Sequence, residues 1–242
     1  MSVVSDAMSE ITTSSRPPRV RPQPVLKLGK SERTRAAILD AALAFLWSNP
    51  FRDMSVNTLM ATTSVSRSAF YQYFHDVHEL MEAMLADLGE EILKFITPWL
   101  EGEGDAIDLL EESLSELVRI CHKQGPFLQA ISDAAPRHER LEILWMEFLD
   151  NFDDVIAARI EADQGLGLTP AFAARPVAVA LNRTNAYTVI QAFGKHPRAE
   201  SGPVREALQR IWVSTLYGGF DTETVRPVRG ASYLSKTCPG GL

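Results

Sequence analysis

The chain has 242 residues, 45% hydrophobic and 23% charged, which is the composition of an ordinary globular protein with a sizeable core. No stretch approaches the ~18 uninterrupted apolar residues of a membrane span, and the Ser-, Pro- and Arg-rich N-terminus lacks the apolar core of a secretion signal, so a cytoplasmic protein is expected. The net charge of −7 hides an asymmetry: residues 16–75 hold nine Lys/Arg against three Asp/Glu, a balance of +6, and the rest of the chain sums to −13.

A basic segment beside an acidic body is the footprint of a nucleic-acid module joined to a part with another task, and an evenly acidic enzyme would not show it. Residues 1–30 contain Arg16-Pro17-Pro18-Arg19, Arg21-Pro22 and Pro24, with few side chains able to bury. They read as a disordered arm carrying Arg16, Arg19, Arg21, Lys27 and Lys30, either a solubilising tail or a seeker of phosphates and minor groove. A helix is predicted from Ser31 to Asn49, with Ile38, Ala42, Phe45 and Leu46 on one face. A short one starts near Ser55, and Thr62-Thr63-Ser64 interrupts it. Another runs from Ser66 to about Phe74.

Asp76 and Glu79 have capping-box spacing and open a long helix to about Trp99. After Gly102 and Gly104 an amphipathic helix covers Asp105 to Lys123, and Gly125-Pro126 is expected to begin a separate short one. Leu141, Leu144, Trp145, Phe148, Phe152, Val155 and Ile156 recur at three and four within a helix over 137–162. Thr169-Pro170 has the pattern of a cap and first turn for a helix to Phe193, and Ser201 to Tyr217 is the last. With no alternating strand pattern the fold is all-α, about nine helices, followed by a flexible tail at 219–242. The expected division is a helix-turn-helix domain over 31–75 and a helical ligand-binding and dimerisation domain over 76–218.

Ser55 to Met81, SVNTLMATTSVSRSAFYQYFHDVHELM, resembles the TetR-like repressors, with Val65-Ser66 in the turn and Phe70-Tyr71-Gln72-Tyr73-Phe74 in place of their Tyr-x-Tyr-Phe ending. The resemblance covers Thr34 to Leu85 and implies a dimer that binds a double-stranded operator and is released by a small molecule. Two departures stand out: Ser64 where the family usually has a turn glycine, and Val77 where it usually has a phosphate-binding lysine.

The residue chemistry points the same way, since the second of two short helices joined by a tight turn enters the major groove by its N-terminal residues. Those are Ser66, Arg67, Ser68 and Tyr71. Arg67 suits a guanine edge or a phosphate, and the hydroxyls of Ser55, Ser66 and Tyr71 suit phosphate oxygens. Phe70 and Phe74 should pack inward, Tyr73 could serve either side, and His75 or His78 could replace the missing lysine in part. His75 and His78 share a helix face, but no further ligand is suggested nearby, so no metal and no cofactor are expected.

A second resemblance within the family, carried by Ala180-Leu181-Asn182-Arg183-Thr184-Asn185 and Ile211-Trp212-Val213-Ser214-Thr215-Leu216-Tyr217-Gly218, implies an apolar ligand channel with asparagine anchors and a dimer formed by the last two helices. Carried over, Asn182 and Asn185 become polar anchors for a lipophilic effector, with Trp145, Phe148, Phe152 and Trp212 as walls. The alternative is plain core for the aromatics and helix-to-helix bonding for the asparagines. Arg183 and the charges from Asp150 to Asp154 read as solvated faces. Two rivals remain: an enzyme, for which no catalytic motif is present, and a DNA-packaging protein without a sensor.

Overall fold

The computed structural model describes residues 29–102 and 104–218. Among them are eight α-helices and no strand: α1 (Lys30–Leu46), α2 (Val56–Met60), α3 (Arg67–Phe70), α4 (Val77–Glu101), α5 (Ala106–Ala134), α6 (Glu139–Gly165), α7 (Ala174–Phe193) and α8 (Ser201–Leu216). Arg16, Arg19, Arg21 and Lys27 lie outside the described residues, as does the expected tail 219–242. Lys30 is the first residue of α1, not the end of an arm.

Local chemistry sets half of the helix starts. A side-chain oxygen accepts the otherwise unpaired N–H groups of the first turn at Ser55 for α2, Ser66 for α3, Asp76 for α4 and Asp105 for α5. Burial then decides which face turns inward. Ile38, Ala42 and Leu46 of α1 meet Leu59 and Met60 of α2 and Phe70 of α3, and Phe74 closes the same cluster. The long helices stack behind this group around α5, which packs against α1, α4, α7 and α8.

The expected break at Gly125-Pro126 does not occur, and α5 runs through both residues. Pro126 has no N–H, so the carbonyl of His122, four residues earlier, loses its helical donor. Arg198, in the connection between α7 and α8, donates to that carbonyl from Nη1 at 2.9 Å, and the same nitrogen lies 3.3 Å from His122 Nδ1. Burial, and then the nearby Arg198 charge, hold the His122 imidazole below its ordinary range. A guanidinium can only donate, so a hydrogen bond at Nδ1 requires the tautomer protonated on the other ring nitrogen. The Arg198 guanidinium also sits 4.7 Å above the ring of Trp47, at the end of α1, and the His196 ring lies tilted against that ring, centroids 4.7 Å apart.

Two other expectations shift for comparable reasons. Thr169-Pro170 does not open α7, because Gln164 Nε2 donates to the carbonyls of Pro170 (2.9 Å) and Phe172 (3.0 Å) and holds the segment outside the helix. The helix begins at Ala174, with Pro176 in its first turn. The segment Ser66 to Phe74 contributes only α3, its last residues forming a turn that carries Phe74 back into the core.

Gly125 is needed for space. A Cβ there would lie 2.2 Å from the Phe193 carbonyl oxygen, at the crossing of α5 and α7. Gly125→Ala is expected to lose about 1–3 kcal/mol in urea denaturation. An unchanged midpoint would contradict the close crossing.

Candidate functional site

One face of the helix-turn-helix is polar and open. Ser55, Ser66, Arg67, Ser68, Tyr71 and His75 are exposed, Tyr71 to 59%, while Phe70 and Phe74 beneath them are buried. Ser66 Oγ accepts from Ala69 N and lies 3.0 Å from Ser68 Oγ. Arg67 reaches back to α2, donating from Nη1 to Asn57 Oδ1 at 2.9 Å, which holds the guanidinium on the outer face. Asn57, exposed beside Arg67, is the residue of this face that sequence reasoning missed.

Tyr73 and His78 are half-buried and turned elsewhere. The Tyr73 hydroxyl lies 3.0 Å from Ser31 Oγ on α1. His78 packs at 5.6 Å from the Phe51 ring and 5.4 Å from the His138 ring at the start of α6. Among the described residues no group of three or more His, Cys, Asp or Glu could hold a metal ion.

The second feature is a cavity inside the large helical stack. Trp145, Phe148, Phe152, Asn182, Asn185 and Trp212, from α6, α7 and α8, all line it. About 80 Å³ is open to the centre of a water-sized sphere, and the lining is overwhelmingly apolar. That is room for several waters or a slender chain, and a larger guest must part the walls. Sequence reasoning missed the contribution of α4 and α5, notably Ile96, Trp99, Leu114 and Cys121. Their only signal was the ordinary three-and-four spacing of an amphipathic helix.

The two asparagines behave differently. Asn182 Nδ2 donates to the Leu149 carbonyl at 3.0 Å and to Asp153 Oδ1 at 2.7 Å, so it ties α7 to α6. Asn185 Oδ1 accepts from Trp212 Nε1 at 2.8 Å, joining α7 to α8. That bond orients the amide and leaves Nδ2 toward the cavity, with no acceptor among the described residues.

The charges at Asp150 to Asp154 are not a uniformly solvated face. Asp153 is fully buried, and Arg183 bridges it and Asp150, at 3.0 Å to each. A lone buried carboxylate would be costly, and the Arg183 and Asn182 donors compensate it. Near the other end of the cavity, Trp99 Nε1 donates to the Tyr217 hydroxyl (3.0 Å), which donates to Asp163 Oδ2 (2.7 Å). Asp163 is paired with buried Arg159, whose guanidinium lies 5.6 Å over the Trp99 ring.

Residues 110–218 match the family described as transcriptional regulator EthR, C-terminal domain. The HTH-type transcriptional regulator EthR of Mycobacterium tuberculosis is 29% identical over 190 residues, covering 75% of this chain and 86% of that protein. EthR of Mycolicibacterium smegmatis is 25% identical over 203 residues, covering 78% and 88%. Two solved structures share the fold: Salmonella enterica GusR (TM-score 0.63, 22% identity, 78% of this chain and 98% of that one) and a bacterial regulatory protein in the TetR family from Rhodococcus (TM-score 0.62, 16% identity, 76% and 97%).

The all-helical fold is that of solved TetR-family regulators, and over three-quarters of its length the chain is similar to the HTH-type transcriptional regulator EthR. Residues 110–218 are the part that matches the EthR C-terminal domain description. No helix among the described residues is long and apolar enough to cross a membrane.

Burial first, and the bond to Asp163 second, push the Tyr217 phenol up to about 12 from an ordinary value of 10.0. The unfolded chain therefore releases this proton first, so stability falls as pH rises from about 10 to about 12. Tyr217→Phe is expected to remove that part of the fall in urea titrations across this window. An identical pH slope in the variant would contradict the network.

Proposed function

We propose that the chain binds a pseudo-palindromic operator as a homodimer in the cytoplasm and leaves it when a lipophilic small molecule fills the cavity. Residues 31–75 form the DNA-binding domain and residues 76–218 the sensing and dimerising one. Ser66, Arg67, Ser68 and Tyr71 meet the major groove, Ser55 and His75 the flanking phosphates, and the arm residues Arg16, Arg19, Arg21 and Lys27 add sequence-independent attraction. The supporting observation is that one chain carries both an exposed polar recognition face and an apolar cavity, with α5 running between them. Leu117 and Cys121 of α5 line the cavity, and the next residue, His122, is held by Arg198, which covers Trp47 of the head.

By sequence, Val189, Leu208, Ile211 and Leu216 exceed what one pair of helices can bury and so point to a dimer face; of these, Val189, Leu208 and Leu216 are buried in the chain's own core. What α7 and α8 leave open is Tyr187, 69% exposed, and Ile211, 40% exposed. These two large side chains anchor the partner contact. Ile211→Arg is expected to shift the protein toward monomer in light scattering and to weaken DNA binding in parallel. Unchanged mass and affinity would contradict this face.

The head and the cavity are tested separately. Arg67→Ala and Tyr71→Ala are expected to abolish preference for a pseudo-palindrome over random DNA at fixed salt, with helicity retained. Full discrimination in both variants would favour a sequence-tolerant packaging protein instead. For the cavity, Asn185→Leu alone would leave the buried Trp212 N–H unpaired, so it is combined with Trp212→Phe. The pair is expected to weaken a neutral carbonyl-bearing ligand by about 1 kcal/mol, the net value of one hydrogen bond. Unaltered affinity in a fluorescence titration would place the ligand elsewhere.

A further inference from the structure

We propose that the cavity is entered through the groove between α4 and α6, with Phe148 as its gate, and that Glu90 and Glu147 at this mouth select a ligand with a cationic head and an apolar tail. This rests on the effector reading above and adds its route and chemical class.

The groove lies on the outside of the helical stack and offers about 540 Å³, with Leu85, Leu93, Leu144 and Val155 among its apolar walls. Phe148 and Phe152 line both the groove and the cavity, so a single aromatic layer separates the two. Phe152 is buried, whereas Phe148 is half-buried and stacks nearly parallel on Trp145 at 5.5 Å. Phe148 is thus the side chain with room to swing. Across the groove stands Gly89, inside α4, where a Cβ would come within 3.4 Å of Phe148 Cε2. Glycine is disfavoured in a helix interior. A Cβ at that distance is in ordinary contact with the ring, so only a larger side chain at this position would crowd it.

The charged residues that line the mouth are all acidic. Glu82, Glu90, Glu147 and Asp154 line the groove, with no Lys or Arg among its lining residues. Glu82 is paired with Arg140 and Asp154 with Arg175. Neither Glu90 nor Glu147 has an ion-pair partner within 4.0 Å among the described residues. Inside, the cavity has no group that would balance a charge: the Cys121 thiol, pushed up to about 12 by burial, stays neutral. Asn185, only 7% exposed, offers an unpartnered N–H to a neutral acceptor. A charged head group would lose its hydration inside without compensation. It is held at the mouth, where the lining charge is negative.

The test uses three ligands with the same decyl chain, below their micelle concentrations: decyltrimethylammonium, decanol and decanoate. Binding is followed by stopped-flow fluorescence of the full chain, in which Trp145 and Trp212 line the cavity. The cation is expected to bind about tenfold or more tightly than decanoate at neutral pH, with decanol between them. Glu90→Gln with Glu147→Gln is expected to weaken the cation about tenfold and decanol by less than about twofold. Raising salt from about 50 to about 500 mM acts in the same direction. Glu112→Gln with Glu161→Gln removes two exposed charges elsewhere and is expected to change little. Phe148→Ala is expected to speed decanol association severalfold, and Gly89→Leu to slow it. Equal binding of cation and anion, or equal losses in both charge pairs, overturns the charge selection. Decanol rates untouched by Phe148→Ala and Gly89→Leu overturn the entrance while leaving the cavity reading intact. If decanol does not bind at all, the cavity reading itself fails and the proposal goes with it.

Discussion

The molecule depends on one requirement of the peptide backbone: a buried carbonyl deprived of its helical donor must find another. Pro126 creates such a carbonyl at His122, in the middle of the helix round which the others pack. Arg198 satisfies it, and the rest of that guanidinium rests on Trp47. A local defect in α5 thereby becomes one of the points at which the N-terminal helices touch the helical body. Without the proline, the helix would satisfy its own carbonyl and Arg198 would lose its anchor. Without Gly125 beside it, α7 could not approach closely enough to deliver the 194–200 connection to that spot.

The same rule shapes the cavity. Polar groups around it are almost all paired across helices, Asn182 with Asp153 and Leu149, Trp99 with Tyr217, Trp212 with Asn185. Such buried networks fix how α4, α6, α7 and α8 sit, because each unpaired member would carry a large desolvation penalty. What they leave over is one amide N–H facing an apolar space. A site of that kind discriminates by the position of an acceptor atom and by chain shape more than by strength of attraction.

Much of this was legible in the residues. Helix starts were readable where the capping oxygen is within three residues of the N–H it serves, as at Ser66 and Asp76. The aromatic and asparagine residues that reach the cavity were readable from spacing and from likeness to the TetR-like repressors. The errors share a cause, which is that the deciding partner lies far along the chain. Gly125-Pro126 looks like a stop unless Arg198 is known to supply the missing donor. Asp153 looks solvated unless Arg183 and Asn182, about thirty residues later, are known to reach it. Val189, Leu208 and Leu216 look like surplus apolar surface until α5 is seen to cover the same side of both helices. The walls supplied by α4 and α5 carried no distinguishing signal, since any amphipathic helix shows that period.

The central claim is that cavity and head are two sites of one equilibrium, and it is tested most directly by a thermodynamic cycle. Operator affinity is measured with and without saturating decanol, and decanol affinity with and without operator, in the wild-type chain and in Arg198→Met. The expected result is that decanol and operator each weaken the other by the same factor in the wild type, and that the factor falls to one in Arg198→Met with both separate affinities retained. Wild-type operator affinity that is unchanged when the cavity is full would contradict the coupling outright.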